Sequence, residues 1–333
     1  MDLATLWFLI VAYLFAGFFF LEGFDYGVGI LAPFISREEA DRRMMLGAIS
    51  GVWDGNEVWM VSAGAVLFAA FPAWYATLFS GMYLVFVFIL VGLILRGVGI
   101  KFRNQQPDPV WRASWDKAIA AGSLLAGFLW GVVVGNLLRG IAINADMVYV
   151  GRWTDLFNPF SLATGAALVA LFVLHGAMYL NIKLSGAALV KLQSKLTTIY
   201  GVTLLGAAAF LAYAALEVGL LKSSIALGCA AAAVVFLLIC GGALKKNPLL
   251  AFWMSGCTII AVGGAVFAHV YPRVLISSLD ARWSMTIANT SSSPYSLKVM
   301  SLVALIFIPL VLVYQGWTYW ILRKRIELNE PGY

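Results

Sequence analysis

The chain has 333 residues, of which 62% are hydrophobic and only 11% charged, far below the roughly 25% of charged residues in soluble domains, so a water-soluble fold is excluded. The net charge of +6 does not mark a nucleic-acid binder, because the basic residues lie in short runs between apolar blocks, where they act as topology signals. Three cysteines, Cys229, Cys240 and Cys257, sit inside apolar blocks without CxxC or CxxCH spacing and read as packing residues.

The apolar blocks suit helices, since crossing a bilayer core takes about 20 residues at 1.5 Å rise. Stretches such as 61–70 and 230–242 lack the alternation of barrel strands. In chain order, spans are expected near residues 6–33, 49–71, 74–97, 117–139, 160–183, 196–217, 222–244, 250–271 and 299–322. Only the turn at 217–224 divides the sixth span from the seventh. Met1-Asp2 is followed by no basic n-region or cleavage site, so the first block is expected to remain as a helix. Residues 1–333 thus read as one polytopic domain, an all-α integral membrane protein of about nine transmembrane helices.

Alternate connections divide the 22 Lys and Arg residues sixteen to six. The richer side holds Arg37, Arg42 and Arg43, then Arg96 to Lys117, Lys183 to Lys195, Lys245-Lys246 and Arg323 to Arg325. The positive-inside rule places that side in the cytoplasm, with the amino terminus outside and the carboxyl terminus inside. Two outer connections are long, residues 140–159 and 272–298, and loops of that length tend to be functional or to pack on a partner. No internal repeat is visible. Small-xxx-small pairs at Gly47/Gly51 and Gly131/Gly135 permit close helix approach.

Intramembrane carboxylates are costly, about 2.5 to 3.5 kcal/mol at a span centre on insertion scales, and they point to function. Four cluster here. Glu22 and Asp25 lie on one face of the first span, and Asp54 and Glu57 repeat the spacing in the antiparallel second span. All four are expected roughly 8 to 17 Å from the cytoplasmic span ends at helical rise, as one acidic patch with Asn56 as a neutral relay. Nearby glycines (Gly23, Gly27, Gly29, Gly51, Gly55) allow close backbones or water. Three readings stay open: proton conduction through buried groups of raised pKa, a structural network with Arg96 or a partner subunit, and cation binding.

The histidines argue against a multihaem role. His175 lies deep in the fifth span and His269 near the outer end of the eighth. Their depths differ by roughly 20 Å at helical rise, so they cannot share one haem. A polar packing or relay role for His175 is expected, with ligation by a single His and Met178 or Met254 as the alternative. Aromatics at span ends, such as Trp74-Tyr75 and Trp317 to Trp320, form the interfacial belt.

Two motifs then coincide in order, Glu22-Gly-Phe-Asp-Tyr-Gly-Val-Gly29 and Trp53-Asp-Gly-Asn-Glu-Val-Trp59. Together they resemble subunit II of the cytochrome bd quinol oxidases, including the cyanide-insensitive type. Leu95-Arg-Gly-Val-Gly99, Trp111-Arg-Ala-Ser-Trp-Asp116, Gly135-Asn-Leu-Leu-Arg-Gly140, Asn158-Pro-Phe160 and Ser284 to Ser292 extend the resemblance over nearly the whole chain. It implies a respiratory terminal oxidase of the bacterial cytoplasmic membrane that oxidises quinol, reduces dioxygen to water and generates proton motive force. It further implies two four-helix bundles plus one peripheral helix. Haem b and haem d, or haem b only, would belong to a partner, subunit I, and no haem or metal would be ligated by this chain. A small single-helix accessory subunit, lipid and quinone are the further partners it admits.

By the same resemblance, Asp54, Asp25 and Asn56 lie on a cytoplasmic proton path, with Glu22 and Glu57 beside them and Arg96 at a matching position. Family members often carry Asp at position 22 and Gln at position 57, so Glu57 adds an acid. The competing functions are a proton-coupled secondary transporter, which usually shows inverted repeats, and a purely structural scaffold subunit.

Overall fold

The computed structural model describes residues 2–326. Twelve α-helices account for most of the chain: α1 (Leu3–Ile35), α2 (Glu39–Ser50), α3 (Trp53–Ala70), α4 (Pro72–Gly81), α5 (Tyr83–Phe102), α6 (Pro109–Arg139), α7 (Pro159–Lys183), α8 (Gly186–Glu217), α9 (Ser224–Ala243), α10 (Pro248–Val270), α11 (Ile287–Thr290) and α12 (Pro294–Ile321). Capping chemistry sets many of the starts. Proline occupies the first turn of α4, α6, α7, α10 and α12, where its missing N–H costs nothing. Asp2, Asp108, Asn158, Ser223, Asn247 and Ser293 accept from the first free backbone N–H groups.

Eight of the described helices are long and apolar enough to cross a membrane, by length and composition. The chain is an all-α, multi-pass membrane protein. The segment expected as the second span behaves differently. α2 ends at Ser50, Gly51 breaks the run, and α3 restarts at Trp53 with 18 residues. α3 is not among the eight, because Asp54, Asn56 and Glu57 crowd its first turns. The expected third span also divides, into α4 and α5 on either side of Met82. Between α8 and α9 the turn rests on Gly219, whose φ of 65° is left-handed and suits glycine.

Helix crossings explain the glycine content selectively. A Cβ on Gly27 of α1 would stand 1.9 Å from the Phe172 carbonyl oxygen of α7, and one on Gly176 would stand 2.5 Å from the Gly27 backbone. These two glycines let α1 and α7 cross at backbone contact. Gly131 of α6 meets Gly165 of α7 in the same way, at 2.5 Å. Gly47, by contrast, has nothing within 4 Å, so the Gly47/Gly51 pair serves no such crossing.

At the end of the molecule near α4, the two long connections join. Ile141 N–H donates to the Ile276 carbonyl at 2.9 Å and Ser278 N–H to the Ile141 carbonyl at 2.9 Å. A short antiparallel ribbon, β1 (Arg273–Leu275) with β2 (Met285–Thr286), closes the second connection. Thr77 of α4 donates to the Met147 carbonyl at 2.6 Å. The loops therefore pack on one another as a single cap. At the opposite end, Arg103 holds Asp116 (Nε to Oδ1, 2.5 Å) and Glu39 (Nη2 to Oε2, 2.8 Å), tying α2 to the α5–α6 connection.

α12 stands apart from this core. Leu297 is its one buried residue among those described, so nearly its whole surface is left uncovered by the chain itself.

Candidate functional site: a buried acid and arginine network

α1, α3 and α5 bring their polar residues to one point. Arg96, projecting from α5 between glycines 92, 97 and 99, is fully buried. Its guanidinium grips Glu22 of α1 with two nitrogens, Nη1 donating to Oε2 at 2.9 Å and Nη2 to Oε1 in a closer contact. The same Nη2 donates to Oε1 of Glu57 on α3 at 2.6 Å. Its face lies 4.8 Å from the Tyr26 ring centroid and 5.9 Å from that of Trp53. A planar fork suits this bidentate, aromatic-lined setting, which a lysine cannot reproduce. Two carboxylates on one cation leave the trio with a spare negative charge or a proton to share.

Asp25, one helical turn from Glu22, has no direct bond to that cation. Its Oδ2 accepts from the Asn56 amide at 2.7 Å. Asn56 in turn accepts, through Oδ1, from the Tyr319 hydroxyl at 2.7 Å and the Gln315 amide at 3.2 Å, both on α12. The other oxygen of Asp25 is buried without a partner among the described residues, as is the Tyr26 hydroxyl. A buried carboxylate with one unsatisfied oxygen invites a proton or a bridging water.

Of the four acids in the two motifs, Glu22 and Glu57 thus share Arg96, while Asp25, one turn from Glu22 on α1, pairs with Asn56. Asp54 joins neither. It is exposed in the first turn of α3 and accepts only from the N–H of its neighbour Gly55, at 2.9 Å. Tyr319 and Gln315 were not legible as partners in the sequence. Gln315 offered a faint signal, as an amide within the apolar run of α12.

His175 is buried with both ring nitrogens engaged. Nδ1 lies 2.7 Å from the Ser255 hydroxyl and Nε2 lies 3.0 Å from the Phe20 carbonyl oxygen. The carbonyl only accepts, so Nε2 carries the proton, and Nδ1 faces the Ser255 hydroxyl, whose single hydrogen is shared between Nδ1 and the Phe252 carbonyl at 2.8 Å. The ring stacks on Phe252 at 4.8 Å. This setting does not fit a haem ligand, since no lone pair faces open space. Among the described residues, no group of three or more His, Cys, Asp or Glu side chains is arranged to hold a metal ion.

A polytopic helical bundle with carboxylates and an arginine buried between its first helices defines a multi-pass membrane protein with ionisable groups among its helices. Known proteins narrow this class. The family profile for cytochrome bd terminal oxidase subunit II matches residues 3–322. The chain is 38% identical to cytochrome bd ubiquinol oxidase subunit 2 of Bacillus subtilis (strain 168), over 99% of this chain and 98% of that one. It is 32% identical to cytochrome bd-I ubiquinol oxidase subunit 2 of Escherichia coli (strain K12), over 98% and 96%. The solved bd oxidase of Geobacillus thermodenitrificans contains a chain of the same fold, with a TM-score of 0.74, 16% identity and coverage of 95% of this chain and 99% of that one. The chain belongs to the cytochrome bd terminal oxidase subunit II family and, as such, is one subunit of a quinol oxidase complex.

Proposed function

We propose that this chain supports a haem-bearing subunit I and lines a proton path running from the cytoplasm into the complex. The supporting observation is the chain of hydrogen bonds from Tyr319 and Gln315 through Asn56 to Asp25, whose second oxygen remains unpartnered. Reduction of one dioxygen to two waters takes four electrons, from two quinols, and four protons. If those protons arrive only from the cytoplasm while quinol protons leave outside, turnover builds proton motive force without a pump. In this reading haem b and haem d, or haem b only, reside in subunit I, and no step of the redox chemistry falls on this chain.

Asp54 is the uptake group. It is exposed at the start of α3, two residues before Asn56. Asp25 is the buried acceptor behind Asn56. An amide donates and accepts without changing charge, so Asn56 orients the path, and water carries the proton past it to the free oxygen of Asp25. Arg96 sets the electrostatics by holding Glu22 and Glu57 as partners.

The topology proposed with this function has nine crossings, α3 being the polar one, arranged as two four-helix bundles and a peripheral helix. The amino terminus lies outside and the carboxyl terminus in the cytoplasm of a bacterial inner membrane, as the sixteen-to-six basic bias requires. The exposed length of α12 is the face on which subunit I, or a small single-helix accessory subunit, docks.

A second reading has an observation of its own. The Glu22–Arg96–Glu57 trio is an ion-pair network of the kind that fixes helix packing, and a scaffold role needs nothing more. Oxygen consumption measured with the haem spectrum of the same preparation separates the two. Asp25→Asn with haem content intact and turnover lost supports the proton path, whereas unchanged turnover sinks it.

A further inference from the structure

A groove of about 1050 Å³ opens between α1, α10 and α12, and its two ends differ. Most of its wall is apolar or aromatic, including Phe252 and Trp253, while one end carries Lys183, Arg323 and Arg325. Each cation spends its hydrogen bonds on neutral carbonyls. Lys183, only 7% exposed, donates to the carbonyls of Leu322, in a close contact, and of Lys324, at 3.4 Å. Arg325 donates to the Leu184 carbonyl at 3.0 Å, and Arg323 donates to the Trp320 carbonyl at 2.5 Å while lying over the Trp320 ring. No carboxylate among the described residues pairs with any of the three.

The cationic end is built into the fold. Ile326 N–H donates to the Lys183 carbonyl at 2.9 Å and Ser185 donates to the Ile326 carbonyl at 2.9 Å, strapping residues 323–326 against the end of α7. From Pro248 to Ile260 the groove follows α10 over thirteen residues, about 18 Å at helical rise. That is close to half of a hydrocarbon core roughly 30 Å thick. One end suits an anion, and the remainder suits an alkyl chain the depth of one leaflet.

We infer that this groove holds an anionic glycerophospholipid, its phosphate against Lys183, Arg323 and Arg325 and one acyl chain along α10. The assignment to the cytoplasmic leaflet rests on the orientation proposed above. A neutral quinone head group would leave the three cations uncompensated. The Gln315 and Tyr319 donors that also line the groove are already committed to Asn56. Packing of apolar area and charge-assisted contact to phosphate act together here.

The test uses the purified oxidase complex, stripped of lipid in detergent and then incubated with an equimolar mixture of phosphatidylglycerol and phosphatidylcholine. Bound lipid is read by native mass spectrometry. The unaltered complex should retain one phosphatidylglycerol per copy of this chain at least fivefold over phosphatidylcholine. The double variant Arg323→Gln/Arg325→Gln should lose that preference, and Arg37→Gln/Arg43→Gln, neither of which lines the groove, should keep it. Absorbance of the haems reports that each complex is intact. Equal retention of both lipids, retention unchanged in the arginine double variant, or quinone in place of phospholipid would overturn the assignment. So would a preference that emerges only in Glu327→Gln/Glu330→Gln, since the carboxyl-terminal acids would then be the occupants.

Discussion

Asp25 and Asp54 share a side chain and a pair of motifs, yet their surroundings give them different parts. Asp54 is exposed and accepts from the adjacent Gly55 N–H, so its replacement by Asn removes a proton donor without disturbing packing. Turnover in Asp54→Asn should fall at least tenfold, about 1.4 kcal/mol in barrier, with haem content near that of the parent. Asp54→Glu should retain much more activity. Full activity in Asp54→Asn would move the uptake point elsewhere. Asp25→Asn, in contrast, is nearly isosteric and keeps an acceptor for Asn56, so assembly should survive while turnover falls by at least as much. Glu57→Gln should be the mildest of the three. Its amide oxygen still accepts from Arg96, and Glu22 continues to neutralise the guanidinium. Arg96→Met belongs to another category, because it leaves Glu22 buried and uncompensated. Breaking a buried pair from one side costs on the order of 3 to 5 kcal/mol, so the yield of assembled complex, read from its haem absorbance, should drop sharply. An intact complex from Arg96→Met would mean that the trio is not what holds α1, α3 and α5 together.

At the scale of helices, the sequence showed where apolar blocks lie but not which glycines touch a neighbour. Gly27 and Gly47 look alike in a string of letters. Only the crossing of α1 with α7 separates them, because the residues opposite Gly27 come from 145 or more positions later in the chain. Gly27→Val should therefore force α1 off α7, with a penalty beyond the roughly 1 to 3 kcal/mol of ordinary overpacking. Gly47→Ala should leave yield and thermal stability unchanged or slightly raised, since helix propensity improves with no neighbour to displace. Melting of the purified complex followed by static scattering compares the two. Equal loss in both variants would show that the close contact at Gly27 has no energetic weight. The polar start of α3 and the division between α4 and α5 escaped the hydropathy pattern for a related reason. Window averages reward apolar content, and a helix that carries Asn56 and Glu57 to buried partners, with Asp54 exposed beside them, pays in hydropathy for what it gains in hydrogen bonds. What could be read was the spacing of three that puts Glu22 with Asp25 on one face. What could not be read was the contribution of Tyr319 from α12, some 260 residues away from Asn56.

For the molecule as a whole, the distribution of charge supplies a test that depends on no single site. The basic connections carry sixteen of the 22 Lys and Arg residues, and they alternate correctly only if α3 crosses the membrane despite its polar first turns. Reporter fusions placed after Phe34, Arg103, Lys191 and Lys245 should all report the cytoplasm, and fusions near Arg152 and Ser292 should report the outer face. The pair after Phe34 and near Ser292 bears most directly on α3. Phe34 lies at the end of α1, and Ser292 donates its N–H to the Ala70 carbonyl at the far end of α3, at 2.8 Å. If α3 spans the bilayer, the two positions lie on opposite sides. If α3 instead lay along one surface, the polarity of every later segment would invert, and Arg103, Lys191 and Lys245 would report outside together. An outside signal at two or more of these positions would remove the nine-crossing topology, and with it the cytoplasmic origin assigned to the protons that Asp54 collects.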